Sequence, residues 1–434
     1  MARVSNPFST ALREPSRLPG TSALPVFSPD RHEPHPLQSN FVVALLIAAL
    51  VVMFAFTQYL TALHRQTTRD LANEWFARGE AAMSASQASS ATDAYRNALS
   101  YDPDNEDYRL RLAQALLADG HYQEARSHLM SLWETNPASG EINFSLARLQ
   151  ARTGDKREAI RYYRSAINGV WDNSPHEQRI AARFELARYL MQQQDNKQAA
   201  VELIALQADP PQDESGELEL AQMLADVGET ARAESVYEGA IKIHPNSAVA
   251  HLGAGNASFA MGDYKVAERQ LATAVRLDPD LSGAAGQLDL VREVLDMSPN
   301  LFGLSEAERQ RRAATVFDAA LSQLTACAAA NGFALETTVN TPNRASTPAT
   351  ASVSPQAAPI ATSAPGNLEQ LYEEAVRAKP DSTVVALRRH PDSLQSTLDL
   401  AYEMTKEVHD VCPANTLADR ALLTLAQHQG QGVQ

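Results

Sequence analysis

Three arginines in the middle of the chain could form an anion-binding site. Arg148 and Arg152 are spaced i, i+4, so both would project from the same face of a helix. Together with Arg188 they could bind a carboxylate or an acidic segment, because guanidinium groups donate paired hydrogen bonds to carboxylates. The alternative is that these arginines pair with the neighbouring Glu141 or Glu185 and only keep the surface soluble.

The two cysteines, Cys327 and Cys412, could form a disulfide across the 85 residues between them (412 − 327). No C-x-x-C motif occurs, so neither a thiolate zinc site nor a thioredoxin-like redox pair is expected. In an oxidising compartment the cysteines could pair, whereas in the cytoplasm both would stay reduced. Both outcomes remain open at this point.

Motifs of known catalytic sites are missing from the sequence. There is no P-loop, H-E-x-x-H or G-x-S-x-G motif, and Gly253-Ala-Gly255 lacks the third glycine of a dinucleotide loop. His121 and His128 are seven residues apart without a third ligand. We therefore expect no enzyme activity, no cofactor and no metal. The formal charge of −15 also argues against a nucleic-acid partner, since phosphate binding needs clustered Lys and Arg.

An alanine that recurs at fixed spacing shows which elements must position these residues. Successive alanines are 34 residues apart (for example 125 − 91), except for one step of 40 (199 − 159). With the alanine at position 20, six units follow, and only residues 174–179 fall outside them. The alanines are Ala91, Ala125, Ala159, Ala199, Ala233 and Ala267, and the units are 72–105, 106–139, 140–173, 180–213, 214–247 and 248–281.

Each unit predicts two helices, A and B, of about 14 residues, with a turn at position 15 and usually a proline at position 32. Positions 8 and 20 are small, which allows the helices to approach closely, and the large residue at position 24 fills the adjacent gap. Since one hairpin cannot bury its apolar face alone, the units must stack into a solenoid.

The unit resembles the tetratricopeptide repeat, down to Trp75 at position 4 and Gly79 at position 8 of the first unit. The resemblance covers residues 72–281 and implies an all-α solenoid whose concave groove binds a protein or peptide. Of the Lys and Asn residues that form the family's carboxylate clamp, only Asn256 is matched. A clamp of that kind is therefore not expected here.

The resemblance implies that positions 2, 5, 9, 12 and 13 of helix A line the groove. Positions 5 and 12 are apolar in all six units and position 9 is polar, so we expect an apolar track with a polar seam, suited to an extended or helical peptide. The groove residues predicted on this basis are Phe76, Leu110, Phe144, Arg148, Arg152, Phe184, Arg188, Leu218, Leu252 and Asn256.

An uncharged stretch at residues 41–63 precedes the repeats. Twenty such residues in a helix span about 30 Å, the thickness of a bilayer core, so we predict a single transmembrane helix rather than a cleaved signal peptide or a core helix. Residues 1–40 contain seven prolines and are predicted to be a disordered tail. Arginines flank the stretch on both sides, and we favour an inner-membrane protein whose repeats lie in the periplasm over a cytoplasmic location.

Beyond the repeats, residues 282–331 are predicted to form helices that cap the solenoid, the second of them opening at Ser305. Residues 337–366 are a Thr/Pro/Ala-rich linker, and residues 367–430 are a small helical module with Asn367 and Asp392 as helix N-caps. This module could dock on the earlier helices or stand alone. We expect a membrane-anchored, non-enzymatic scaffold, similar to bacterial membrane-tethered repeat proteins. A chaperone-like holdase for unfolded or translocating clients is the alternative. A third hypothesis is an enzyme whose active site lies in residues 367–434.

Overall fold

The computed structural model describes residues 36–332 and 366–429, and within those ranges it contains 18 helices and no strand. The helices are α1 (Pro36–Ser84), α2 (Ala88–Tyr101), α3 (Glu106–Ala118), α4 (Tyr122–Thr135), α5 (Gly140–Thr153), α6 (Lys156–Ile167), α7 (Pro175–Gln192), α8 (Asn196–Ala208), α9 (Glu214–Asp226), α10 (Thr230–Ile243), α11 (Ala248–Ala260), α12 (Tyr264–Leu277), α13 (Ala284–Met297), α14 (Glu306–Asn331), α15 (Gly366–Ala378), α16 (Val384–Arg389), α17 (Ser393–Val411) and α18 (Leu417–Gln427). The predicted all-α solenoid is confirmed.

The alanine at position 20 lies inside helix B of every unit and is completely buried in all six. Position 8 of helix A is buried as well, and position 24 carries a large side chain that is buried in all six units. A Cβ atom added to Gly79 would lie 2.4 Å from the ring of Tyr95, which shows how closely positions 8 and 24 approach. The small residues are therefore fixed by helix-to-helix contact, as the spacing predicts.

Local signals in the sequence set the ends of most repeat helices. Asn105, Ser139 and Ser247 accept a hydrogen bond from the third backbone N–H that follows, and so begin helices A. The turn at position 15 needs a positive φ, which glycine supplies in four units. Ser86 and Gln194 adopt the same conformation, with φ of 58° and 57°, where the glycine is missing.

The six residues outside the repeat register lengthen helix A of the fourth unit. Trp171 replaces the usual proline, donates a hydrogen bond from Nε1 to the Ala166 carbonyl at 2.9 Å, and packs its ring against Gly140. Helix α7 then begins at Pro175 and has 18 residues. The insertion is thus absorbed as extra helix, and the stacking of the units continues through it.

Helix α1 differs from the prediction of a separate membrane helix. It is one helix of 49 residues that includes the predicted transmembrane segment and helix A of the first unit. It already contains residues 36–40, which were assigned to the disordered tail. The stretch Phe41–Ser84 is long and apolar enough to span a membrane, and none of its most apolar 18 residues is buried. Glu306–Asn331 is also long and apolar enough, but half of its most apolar 18 residues are buried.

The cap of the solenoid, defined here as α13–α18, contains the helices of residues 282–331 together with those of the C-terminal module. Helix α13 packs between α12 and α18, while α14 packs mainly on α17. A single core joins α12 to all of these helices, with Phe317 and Tyr402 among its buried residues. The C-terminal module is therefore an integral part of the cap, because the core that contains α13 and α14 also contains residues of α15–α18.

A disulfide joins Cys327 in α14 to Cys412 at the end of α17, with Cα atoms 6.0 Å apart.

Ser305 caps α14 as expected, but Asn367 is not the cap of α15, which already begins at Gly366. Asp392 precedes α17 without a side-chain cap hydrogen bond. The predicted tail up to residue 35 and the predicted linker up to residue 365 lie outside the described residues.

Candidate protein-binding groove

Position 5 does not form the open apolar track that the sequence predicts. Leu110, Phe144 and Phe184 are only 8 %, 7 % and 5 % exposed and belong to the repeat cores. Phe76, Leu218 and Leu252 are partly buried and pack against the same kind of core. Position 5 of helix A therefore lies between neighbouring units. Burial of an apolar side chain there stabilises the fold more than exposure in a groove would.

Position 12 supplies the apolar residues that remain accessible along helix A. In each of the six units this side chain is partly exposed, about two turns beyond position 5. The aligned residues form a discontinuous apolar row, because two of the six are alanines. The row consists of Met83, Leu117, Ala151, Met191, Ala225 and Phe259.

Position 9 forms a ladder of contacts with position 6 of the following unit. Glu80 lies 3.7 Å from Arg111, and Gln114 donates to Ser145 at 3.2 Å. Arg148 donates to both carboxylate oxygens of Glu185, the shortest contact being 2.7 Å. From the first to the fifth unit the polar seam is therefore occupied by the protein itself, since position 9 of one unit contacts position 6 of the next.

The same ladder accounts for two of the three arginines singled out in the sequence. Besides Glu185, Arg148 contacts the ring of Phe144, with its guanidinium carbon 4.0 Å from the ring centroid. Arg188 pairs with Glu219 at 2.9 Å. Arg152 is exposed and has no ion-pair partner within the described ranges. The three guanidinium groups therefore do not form a free anion site, and pairing with glutamate is what the structure shows for Arg148.

Tyrosines at position 24 connect the interior of the units to the ladder. Tyr95 donates its hydroxyl to Glu80 at 2.6 Å, and Tyr163 donates to Glu185 at 2.8 Å. Burial raises the pKa of both phenols, and the adjacent carboxylates add to the effect. Both hydroxyls therefore stay protonated and remain donors at any physiological pH. The repeat pattern identified these tyrosines only as large residues.

The ladder stops between the fifth and sixth units. Position 6 of the sixth unit is Gly253, which offers no side chain to Gln222, and the ring of Tyr237 occupies the space where a Cβ would lie. Gln222 instead donates to Asp226 in its own helix, at 2.8 Å. Asn256 is exposed, and its side chain makes no hydrogen bond within residues 36–332 and 366–429. This end of the groove thus lacks the cross-unit ion pairs found in the earlier units.

No alternative chemical site emerges from the rest of the described chain. Within it no group of three His, Cys, Asp or Glu residues is placed to hold a metal ion. Burial lowers the pKa of His128, which keeps its imidazole neutral, while the exposed His121 pairs with Asp119 at 3.1 Å. One surface cleft, of about 370 Å³, is lined by Glu214 and by residues 243–247.

Comparison with protein families matches the repeats along most of their length. The model described as the cytochrome c-type biogenesis protein H TPR domain matches residues 60–177. Two tetratricopeptide repeat models match residues 144–213 and 184–248, and residues 224–300. Curated proteins gave no significant match to the sequence.

Solved structures of repeat proteins are similar to the chain in fold. YrrB, described as a TPR protein with an unusual peptide-binding site, is 16 % identical, with a TM-score of 0.35, and the match covers 45 % of this chain and 97 % of YrrB. PilF of Pseudomonas aeruginosa is 17 % identical, with a TM-score of 0.36 and coverage of 50 % and 94 %. The TPR2AB domain of yeast Sti1, solved in a complex with pHSP90, is 22 % identical, with a TM-score of 0.22 and coverage of 51 % and 97 %.

Proposed function

We propose that this chain, which is a tetratricopeptide repeat protein, is a membrane-anchored, non-enzymatic scaffold that binds a partner protein in its groove. Tetratricopeptide repeats point to protein–protein interaction in general. The observation that carries the finer proposal is the structure of α1, in which an exposed apolar stretch continues without a break into the first repeat. Such a helix would tie the binding surface directly to a bilayer.

The partner would bind along the position 12 row and mainly at the end of the groove near Gly253, which lacks cross-unit ion pairs. Binding at the first four units would have to compete with ion pairs such as Arg148–Glu185, and separating a hydrogen-bonded charge pair is costly. Around Gly253 and Asn256 no such pair has to be broken. An apolar helix or extended segment, with an amide or hydroxyl group opposite Asn256, fits this surface best.

For the soluble part we propose a periplasmic location. The disulfide between Cys327 and Cys412 supports an oxidising compartment, where such bridges persist. The family model that matches residues 60–177 is named for a protein of cytochrome c-type biogenesis, and assembly of other proteins at a membrane agrees with the role proposed here. A reporter enzyme fused after residue 434 should be active only in a periplasmic assay, and activity in the cytoplasm would overturn this location.

Site-directed photocrosslinking in intact cells tests the groove itself. A crosslinking residue placed at Ala225 or Asn256 should yield a discrete adduct with a partner protein, because both positions are accessible on helix A. The matched control is Val201, which is 63 % exposed on helix B of the fourth unit and should give no such adduct. Equal adducts from all three positions, or none from the groove positions, would contradict binding in the groove.

The number of crosslinked partners separates the scaffold from the holdase. A scaffold should give one or a few adducts of fixed mass, whereas a holdase should give a broad distribution of unrelated clients. The partly exposed apolar row at position 12 is the feature that favours a holdase, since unfolded chains bind to apolar surface without sequence preference. A broad distribution that disappears when protein synthesis stops would establish the alternative.

A further inference from the structure

Helix α1 joins the repeats to the apolar stretch without a flexible linker. Residues 64–71 lie between the predicted membrane segment and the first unit, and they are helical throughout. They contain no proline or glycine, the residues at which helices usually kink. The hydroxyls of Thr67 and Thr68 donate hydrogen bonds to the His64 carbonyl of the same helix. Whatever orientation α1 takes in a bilayer, the first unit must follow.

We propose that α1 holds the solenoid upright on the membrane, so that the connections from each helix B to the next helix A face the lipid surface. The proposal rests on the membrane anchor of the proposed function and adds a fixed orientation to it. Helix A of the first unit is the end of α1, so it runs away from the bilayer. Helix α2 returns toward it after a turn of three residues, 85–87.

Helix lengths give the expected heights above the membrane. From residue 63 to residue 72 the rise is about 14 Å, and the 14 residues of α2 descend by about 20 Å from the turn at residues 85–87. The connection at residues 102–105 should therefore lie about 20 Å nearer the lipid than that turn does. A transmembrane helix tilt of about 20° changes this difference only slightly. Later units rotate progressively, so the contrast is sharpest in the first two.

Two arginines are placed to interact with lipid headgroups in this orientation. Arg65 and Arg69 are exposed and have no ion-pair partner in the described part of the chain. They lie seven and three residues before Ala72, hence on the face of α1 toward which the units stack. Their guanidinium groups would meet lipid phosphates beneath the first unit. Asp104, exposed on the nearest connection, would keep the solenoid itself off an anionic surface.

Fluorescence quenching in lipid nanodiscs tests the orientation with the full-length chain. A fluorophore on Asp104→Cys should be quenched several-fold more strongly by lipids with nitroxide headgroups than the same fluorophore on Gln87→Cys. Both positions are exposed, and the native cysteines are protected by their disulfide. Equal quenching at the two sites, or stronger quenching at residue 87, would overturn the proposal.

Two further measurements separate this inference from the membrane anchor. Flotation of the unlabelled chain with liposomes is tested first, and failure to float would overturn the anchor and the orientation together. Normal flotation with equal quenching would overturn the orientation alone. A flexible insertion of five Gly and Ser residues between Thr68 and Arg69 should abolish the difference between the two labels. If the difference persists with the insertion, α1 is not what sets the orientation.

Discussion

The solenoid and the cap bury their apolar residues through different patterns of contact. In the solenoid, helices contact the next one or two helices along the chain, and the cores change from unit to unit. In the cap, one core includes helices from α12 to α18. Its main contacts join α13 to α18 and α14 to α17, and a disulfide closes a loop of 85 residues.

This difference should appear as a difference in cooperativity. A solenoid built from neighbour contacts loses stability locally when one unit is damaged, and remote units are little affected. In the cap, the main contacts of α13 and α14 require a long loop to close, so its helices should gain or lose stability together. Each of the following predictions tests whether the two regions are energetically distinct.

The largest effect is expected from Phe317→Ala in the core of the cap. Phe317 is completely buried, and such a substitution typically costs about 3–5 kcal/mol of unfolding free energy. Hydrogen exchange should show that α13–α18 lose protection together while α3–α8 keep theirs. Loss of protection along the whole chain would show instead that solenoid and cap unfold as one unit.

Removing the disulfide should have a smaller effect of the same kind. With Cys327→Ser and Cys412→Ser, the free energy of unfolding of the cap should fall by about 2–4 kcal/mol, because the unfolded loop is no longer constrained. The measurement is chemical denaturation of the oxidised protein and of the double variant. Adding reductant to the native protein should reproduce the shift and should leave the double variant unchanged.

Two glycines test how tightly the units of the solenoid are packed. Gly253→Ala would place a Cβ 2.3 Å from the ring of Tyr237 and should destabilise the fifth and sixth units by about 1–3 kcal/mol. Gly239→Ala, in helix α10, has no atom within 4 Å of its Cβ and should stabilise by about 0.5–1 kcal/mol. Thermal unfolding of both variants should give shifts of opposite sign, and shifts of the same sign would refute this account of the packing.

The smallest effect concerns alkaline pH. Burial, with Asp226 nearby, raises the pKa of Tyr237 from 10.0 to about 12, so folding favours the neutral phenol. This contribution is complete below pH 10 and is lost as the pH rises through 12, about 1.4 kcal/mol of it by pH 11. Tyr237→Phe should remove the Tyr237 contribution to this loss, while the other buried tyrosines of the solenoid keep theirs. The cap should still weaken at high pH in the same variant, because burial also raises the pKa of Tyr402.

In the solenoid, the repeat register could be predicted from the sequence. Ala159 and the five equivalent alanines are fully buried, because contacts between paired helices occur at fixed separations along the chain. The groove was predicted less well. Phe144 was assigned to its surface but is buried, since a small rotation of helix A decides between core and groove, and an apolar side chain is compatible with both.

The arginine ladder depended on information that no single unit contains. Arg148 pairs with Glu185, 37 residues away, across the irregular step at residues 174–179. Position 9 of one unit and position 6 of the next often carry side chains of opposite charge, and this pattern predicts the pair. The sequence alone offered Glu141 as an equal partner for Arg148, but in the structure Glu141 pairs with Arg111, at 2.9 Å.

The sequence by itself determined the helical hairpins, their 34-residue register and their stacking, because these follow from side-chain size and turn residues that repeat within a short span. The tertiary structure decided the rest. It joined the apolar stretch and the first repeat in one helix, and it inserted α18 against α13 at the far end. Contacts of this kind join residues at irregular, often large separations, and their free energy depends on how the whole chain closes rather than on any local pattern.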